Sequence, residues 1–108
     1  MVNRWRGDVA LEIDGQRHVM RLTLGALAEL EDALEADSLV ALIERFETGA
    51  FRARDVLALL LAGLRGGGWT GSAADLAQAE IAGGPVAASR AAAELITRAF
   101  AGADDGAV

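Results

Sequence analysis

The chain has 108 residues, a net charge of −6 and no cysteine, and its ten basic residues are all arginine. That length supports one hydrophobic core. The lack of cysteine excludes disulfides, thiolate metal sites and cysteine catalysis, and the acidic balance argues against a nucleic-acid partner, whose phosphates it would repel.

Alanine is the commonest member of the 53% hydrophobic fraction. It favours helix while burying little area, so the composition points to closely packed helices with small side chains. The stretch Met1–Arg6 has no apolar run behind it, and no secretory signal is expected. Leu57–Trp69, the most apolar run, is too short for the roughly 20 residues that a spanning helix needs. A cytoplasmic protein without a membrane partner is the expectation.

Residues 8–22 read as a β-hairpin. Val9, Leu11 and Ile13 alternate with Asp8, Ala10 and Glu12, and Asp14-Gly15 supplies a two-residue type I′ turn. Closing that turn between Ile13 and Gln16 sets Glu12 against Arg17, Asp8 against Arg21, Leu11 against His18 and Val9 against Met20. Opposite charges then meet on one face and apolar groups on the other.

After Leu22 the period changes from two to about 3.6. Thr23 caps a first helix with Leu24, Leu27, Leu30 and Leu34 in one stripe and Glu29, Glu31, Asp32 and Glu35 outside. Asp37-Ser38 breaks and recaps the chain. A second helix follows, turning Leu39, Leu42, Ile43 and Phe46 inward and ending near Thr48-Gly49. A third opens at Ala53-Arg54-Asp55 and carries Val56, Leu57, Leu60, Leu61 and Leu64 until Gly66-Gly67-Gly68 stops it.

Ser72 and Asp75 form a capping box for a short fourth helix through Ile81. Pro85 takes the favoured first position of a fifth, lined by Val86, Ser89, Ala93, Ile96 and Phe100. The expected fold class is α+β, mainly α: an N-terminal β-hairpin followed by about five short helices in a small bundle. Residues 1–101 form the single domain, and 102–108 read as a flexible acidic tail.

No set of residues assembles a catalytic centre. His18, the single histidine, lies on the hairpin's apolar face with no serine or second histidine at matching spacing to orient it. Gly66–Gly71 fits Gly-x-Gly-x-x-Gly formally. A helix precedes it and there is no βαβ unit, so the glycines read as a helix end and a flexible connection.

Glu29, Glu31, Asp32, Glu35 and Asp37 lie on a helix with leucines between them rather than around a glycine turn. They read as a solvated face able to attract a basic partner, not as a metal loop. The chain is therefore expected to be no enzyme, with no cofactor, no metal and no small-molecule substrate. Function falls to surfaces. Trp5 and Trp69 stand out there, because tryptophan buries large area while its N–H stays partly wet, although each could equally close one edge of the core. Arg52, Arg54 and Arg65 add positive charge near the ends of the third helix, available to the acidic first helix or to an acidic partner.

The order of these pieces resembles a known family. Gly7-Asp-Val-Ala-Leu-Glu-Ile-Asp-Gly15 leads into Leu-Thr-Leu-Gly-Ala-Leu-Ala-Glu-Leu-Glu at Leu22–Glu31. Asp55-Val56-Leu57 follows, then Ala62-Gly-Leu-Arg-Gly-Gly-Gly68, and Gly83-Gly84-Pro85-Val86 opens the last helix. Together, over Val9 to Phe100, they look like the gene transfer agent family of small proteins grouped with phage tail assembly chaperones.

The resemblance implies a non-enzymatic tail assembly chaperone of a gene transfer agent or siphophage-like particle. Its partner would be the long, apolar, helical tape-measure protein, with tail-tube subunits and a second copy of the chain as further partners. The alternative is a structural tail component, in the tube or an initiator complex. Some family members carry a tail-tube label, and against it one hairpin with five helices lacks the larger β-sandwich of a tube subunit. Partner binding is expected at groove edges around Leu57, Leu61, Leu64 and Trp69, with Trp5 as a further contact.

Overall fold

Turn chemistry sets the first element. In the computed structural model, which describes residues 7–34 and 39–106, β1 (Val9–Ile13) pairs antiparallel with β2 (Gln16–Met20). Asp14 and Gly15 take φ of 49° and 80°, as a type I′ turn demands. The register is the expected one, with Val9 opposite Met20, Leu11 opposite His18 and Glu12 opposite Arg17.

The charged face of the hairpin is not wholly solvated. Asp8 is buried, and its carboxylate accepts two hydrogen bonds from the Arg21 guanidinium at 2.9 and 3.1 Å. The Asp8 carbonyl oxygen accepts a third bond from Arg98 at 2.8 Å. The last helix covers this end of the hairpin, which strand alternation alone does not reveal. Bonding to Asp8 raises the Arg21 pKa above its ordinary value.

α1 (Leu24–Leu34) starts at Thr23, whose Oγ1 accepts the Ala26 N–H at 3.1 Å. Its buried stripe runs through Ala26 and Leu30, with Leu27 half-buried. The expected stripe began at Leu24, which is instead 84% exposed. At 100° per residue, a face centred on Ala26 and Leu30 leaves Leu24 on the far side.

α2 (Leu39–Thr48) buries Leu42 and packs Leu39, Ile43 and Phe46 against the core, as expected. The Phe46 ring stacks on Phe51 at 4.6 Å between centroids, and Gly49 leaves the helix with φ of 78°. The break expected at Asp37-Ser38 lies outside the described residues.

α3 (Ala53–Gly66) is the central element, contacted by α1 and β2 and by both elements that follow it in the chain. Val56, Leu60 and Leu64 are buried as its apolar stripe predicts, but so are Leu59, Ala62 and Gly63. The glycines here do more than end a helix. A Cβ on Gly66 or Gly67 would overlap the carbonyl oxygen of Arg21 or Val19, and one on Gly63 would meet the Leu95 side chain. Their absence of side chains lets α3 lie against β2, where Arg21 N–H donates to the Gly63 carbonyl at 2.8 Å.

α4 (Ala73–Gln78) has the expected capping box. Ser72 N–H donates to Asp75 at 2.9 Å, and Asp75 N–H donates to Ser72 Oγ at 3.1 Å. It stops at Gln78 rather than Ile81. Ile81 instead forms an antiparallel bridge with Ile13, so the chain here works as a short third edge on β1.

α5 (Gly84–Gly106) opens with Gly84 at φ of 70°, ahead of Pro85 in the first turn. Ala88, Ala91, Ala92, Leu95 and Ile96 are buried, whereas Ser89 and Ala93 are half-buried and Val86 is 69% exposed. The buried face is thus rotated from the expected one, onto the small alanines that let α5 approach α3 closely. The helix continues to Gly106, past the end of the apolar periodicity at Phe100.

Candidate functional site

An open apolar groove of about 680 Å³ lies between the first half of α3, α4 and the start of α5. Val56, Leu57 and Leu60 of α3 form one side, Leu76 and Ile81 another, and Ala88 the third. Local chemistry explains the opening. α4 is only six residues long, after which the chain extends to bridge Ile13. Gly83 and Gly84, with φ of 85° and 70°, then turn it sharply into α5, so the connection stands as a wall beside α3.

That wall is tied to the hairpin turn. Asp14 N–H donates to the Glu80 carbonyl at 2.8 Å, Glu80 N–H donates to Asp14 Oδ1 at 2.9 Å, and Ala82 N–H donates to the Glu12 carbonyl at 3.1 Å. Glu80 is the one charged residue lining the groove.

At the start of α3 the surface turns cationic. Arg45, Arg52, Arg54 and Asp55 line a second hollow of about 370 Å³. Asp55 is 2% exposed and accepts from Arg45 Nε and Nη2 at 3.0 Å each and from the Arg52 N–H at 2.8 Å. Burial pushes its carboxyl pKa up, but these hydrogen bonds and the charges of Arg45 and Arg54 outweigh that and hold it below the usual carboxylate value.

The structure does not gather the sequence-expected contact residues into one place. Leu57 lines the groove. Leu61 is half-buried against the core, outside the groove lining, and Leu64 is wholly buried with no surface to offer. Trp69 borders a separate cleft of about 240 Å³ with His18, Val19 and Thr70. Trp5 lies outside the described residues. Leu76, Ile81 and Ala88 were missed, although Gly83-Gly84-Pro85 marked a sharp redirection of the chain beside them.

Of the acidic cluster expected on α1, Glu35 and Asp37 lie outside the described residues. Glu29, Glu31 and Asp32 are exposed, and Glu29 lies 3.9 Å from Arg65, a loose ion pair between α1 and α3. Among the described residues no group of three carboxylates or histidines is placed to hold a metal, and no helix is long and apolar enough to cross a membrane. What the groove offers chemically is apolar contact with a single carboxylate, Glu80, on its wall.

A family model described as phage tail tube protein, GTA-gp10, matches residues 6–102. No curated protein and no solved structure matches the chain. The description carries the tail-tube label, which the low strand content does not favour, and it makes no mention of a chaperone. The match spans nearly the whole sequence, from the hairpin through α4 and most of α5: the chain belongs to the phage tail tube protein, GTA-gp10 family.

Proposed function

We propose that this chain serves tail assembly by seating an apolar helical segment of another tail protein in the groove between α3, α4 and α5. The observation that carries the reading is the groove itself, open, about 680 Å³ and lined by apolar residues apart from Glu80 and Ser89. Amphipathic helices dock into such grooves through side chains spaced three and four apart. The tape-measure protein, long, apolar and helical and in need of cover until tube subunits enclose it, is a partner of that kind. The chain then acts as an assembly chaperone, holding the tape measure while the tail is built. Leu57 contacts it directly, whereas Leu61, Leu64 and Trp69 lie outside the groove lining.

A second reading is a structural component retained in the finished tail, and the family's description favours it more directly than the chaperone. A tube wall built by this chain alone is hard to reconcile with two five-residue strands and one bridge among the described residues. An initiator or joining role needs no such sheet.

Co-expression with a tape-measure protein, joined to mass spectrometry of purified particles, separates the two. A soluble complex, with this chain depleted from finished particles, supports the chaperone. A fixed copy number in particles and no soluble complex makes it a structural tail protein.

A further inference from the structure

The apolar groove and the cationic hollow share no lining residue, but both draw on the first turn of α3. Ala53, Val56 and Leu57 line the groove, whereas Arg52, Arg54 and Asp55 line the hollow beside it. The arginines there have unequal roles. Arg45 is committed to Asp55. Arg52 and Arg54 are exposed, and neither guanidinium enters a hydrogen bond or ion pair among the described residues. In a chain with 16 carboxylates and ten arginines, two such arginines on either side of Ala53, which lines the apolar groove, are a departure from the general surplus of acid.

We infer that the groove selects an amphipathic helix whose apolar stripe ends in carboxylates, which sit on Arg52 and Arg54. This rests on the reading that the groove receives a segment of another tail protein. The charges also fix direction, since Glu80 on the connecting wall repels a carboxylate at its own position. Acidic residues therefore belong at one end of the occupant only. The preference runs against the net charge of −6, which by itself draws basic peptides and repels acidic ones. The sign of the selectivity is thus diagnostic of the site.

Two labelled synthetic peptides test this, sharing one leucine stripe spaced i, i+3, i+4, i+7. One ends in two glutamates, the other in two lysines. Fluorescence anisotropy with the full chain is expected to show the glutamate peptide binding about tenfold tighter, with the preference shrinking as salt rises. Arg52→Glu with Arg54→Glu should reverse the preference, and Leu57→Asp should weaken both peptides. Arg90→Glu, an exposed change on α5, should alter neither. Circular dichroism verifies that each variant is folded.

Equal or lysine-favouring affinity overturns the charge assignment. A glutamate preference that survives the double arginine change places it elsewhere and also overturns the assignment. Binding of neither peptide by a chain that still forms a tape-measure complex removes the groove as the site, while leaving the assembly role intact.

Discussion

Arg45 and Asp55 join α2 to α3 through two parallel hydrogen bonds of 3.0 Å, and the same carboxylate caps α3 by accepting the Arg52 N–H at 2.8 Å. One residue thus closes a helix end and a helix–helix contact together. A carboxylate that is 2% exposed persists there because its oxygens are satisfied.

Asp55→Ala should therefore be among the most damaging single changes outside the apolar core. It strips the cap and removes the Asp55 carboxylate from Arg45, at an expected cost of about 2–4 kcal/mol. Asp55→Asn, which can still accept the Arg52 N–H, should cost less. Urea unfolding followed by circular dichroism gives both values, and equal losses for the two would remove the capping contribution.

The same carboxylate sets a pH dependence. Asp55 and Asp75 both have pKa values below the ordinary carboxylate range, Asp75 because the Ser72 backbone N–H and hydroxyl hold its charged form. In acid the unfolded chain then takes up protons first. The stability these groups contribute is complete above the unfolded value of about 3.9 and is lost as pH falls through the lower folded values. Thermal melts should show a decline that steepens below about pH 4, and Asp55→Asn should flatten it. A parallel decline in the variant would exclude Asp55 as a source.

Glycine substitutions should split in sign. Gly25, two residues into α1, has no neighbour nearer than 3.9 Å to an added Cβ, so Gly25→Ala should stabilise the chain by about 0.5 kcal/mol. Gly67→Ala places a methyl group onto the Val19 carbonyl oxygen and should cost about 1–3 kcal/mol or more. Thermal melts of the pair check this, and a neutral Gly67→Ala would mean that α3 can withdraw from β2 without loss.

Leucine changes on α3 should separate core from surface. Leu64→Ala, at a wholly buried position, should lose about 2–5 kcal/mol of stability. Leu57→Asp should leave the fold largely intact while abolishing capture of the tape-measure segment. Trp69→Ala tests the flank: a folded variant with undiminished capture excludes that tryptophan from the interface.

The hairpin was legible in the sequence down to its register, because alternation, turn residues and facing charges all select one pairing. The capping residues Thr23, Ser72 and Asp75 were legible for the same reason, their chemistry being local. Leu24 and Val86 were misread because both lie in the first turn of a helix, where the facing direction depends on what the rest of the helix meets. Ile81 was read as helical because its bridge to Ile13 is a long-range contact that no local period encodes. The groove was foreseeable as a kind of surface, and Leu57 as part of it, but its other wall depends on where Gly83 and Gly84 send the chain.

The tie between the hairpin turn and the Glu80 segment spans 66 positions of sequence. The groove's wall hangs from the hairpin, which is synthesised well before it, yet it is made of residues near the start of α5. A chain caught midway through translation consequently possesses no receptive surface, however well its hairpin and α3 have formed. If the groove receives a partner as proposed, that capture has to wait until synthesis reaches α5 and most of the core has been made.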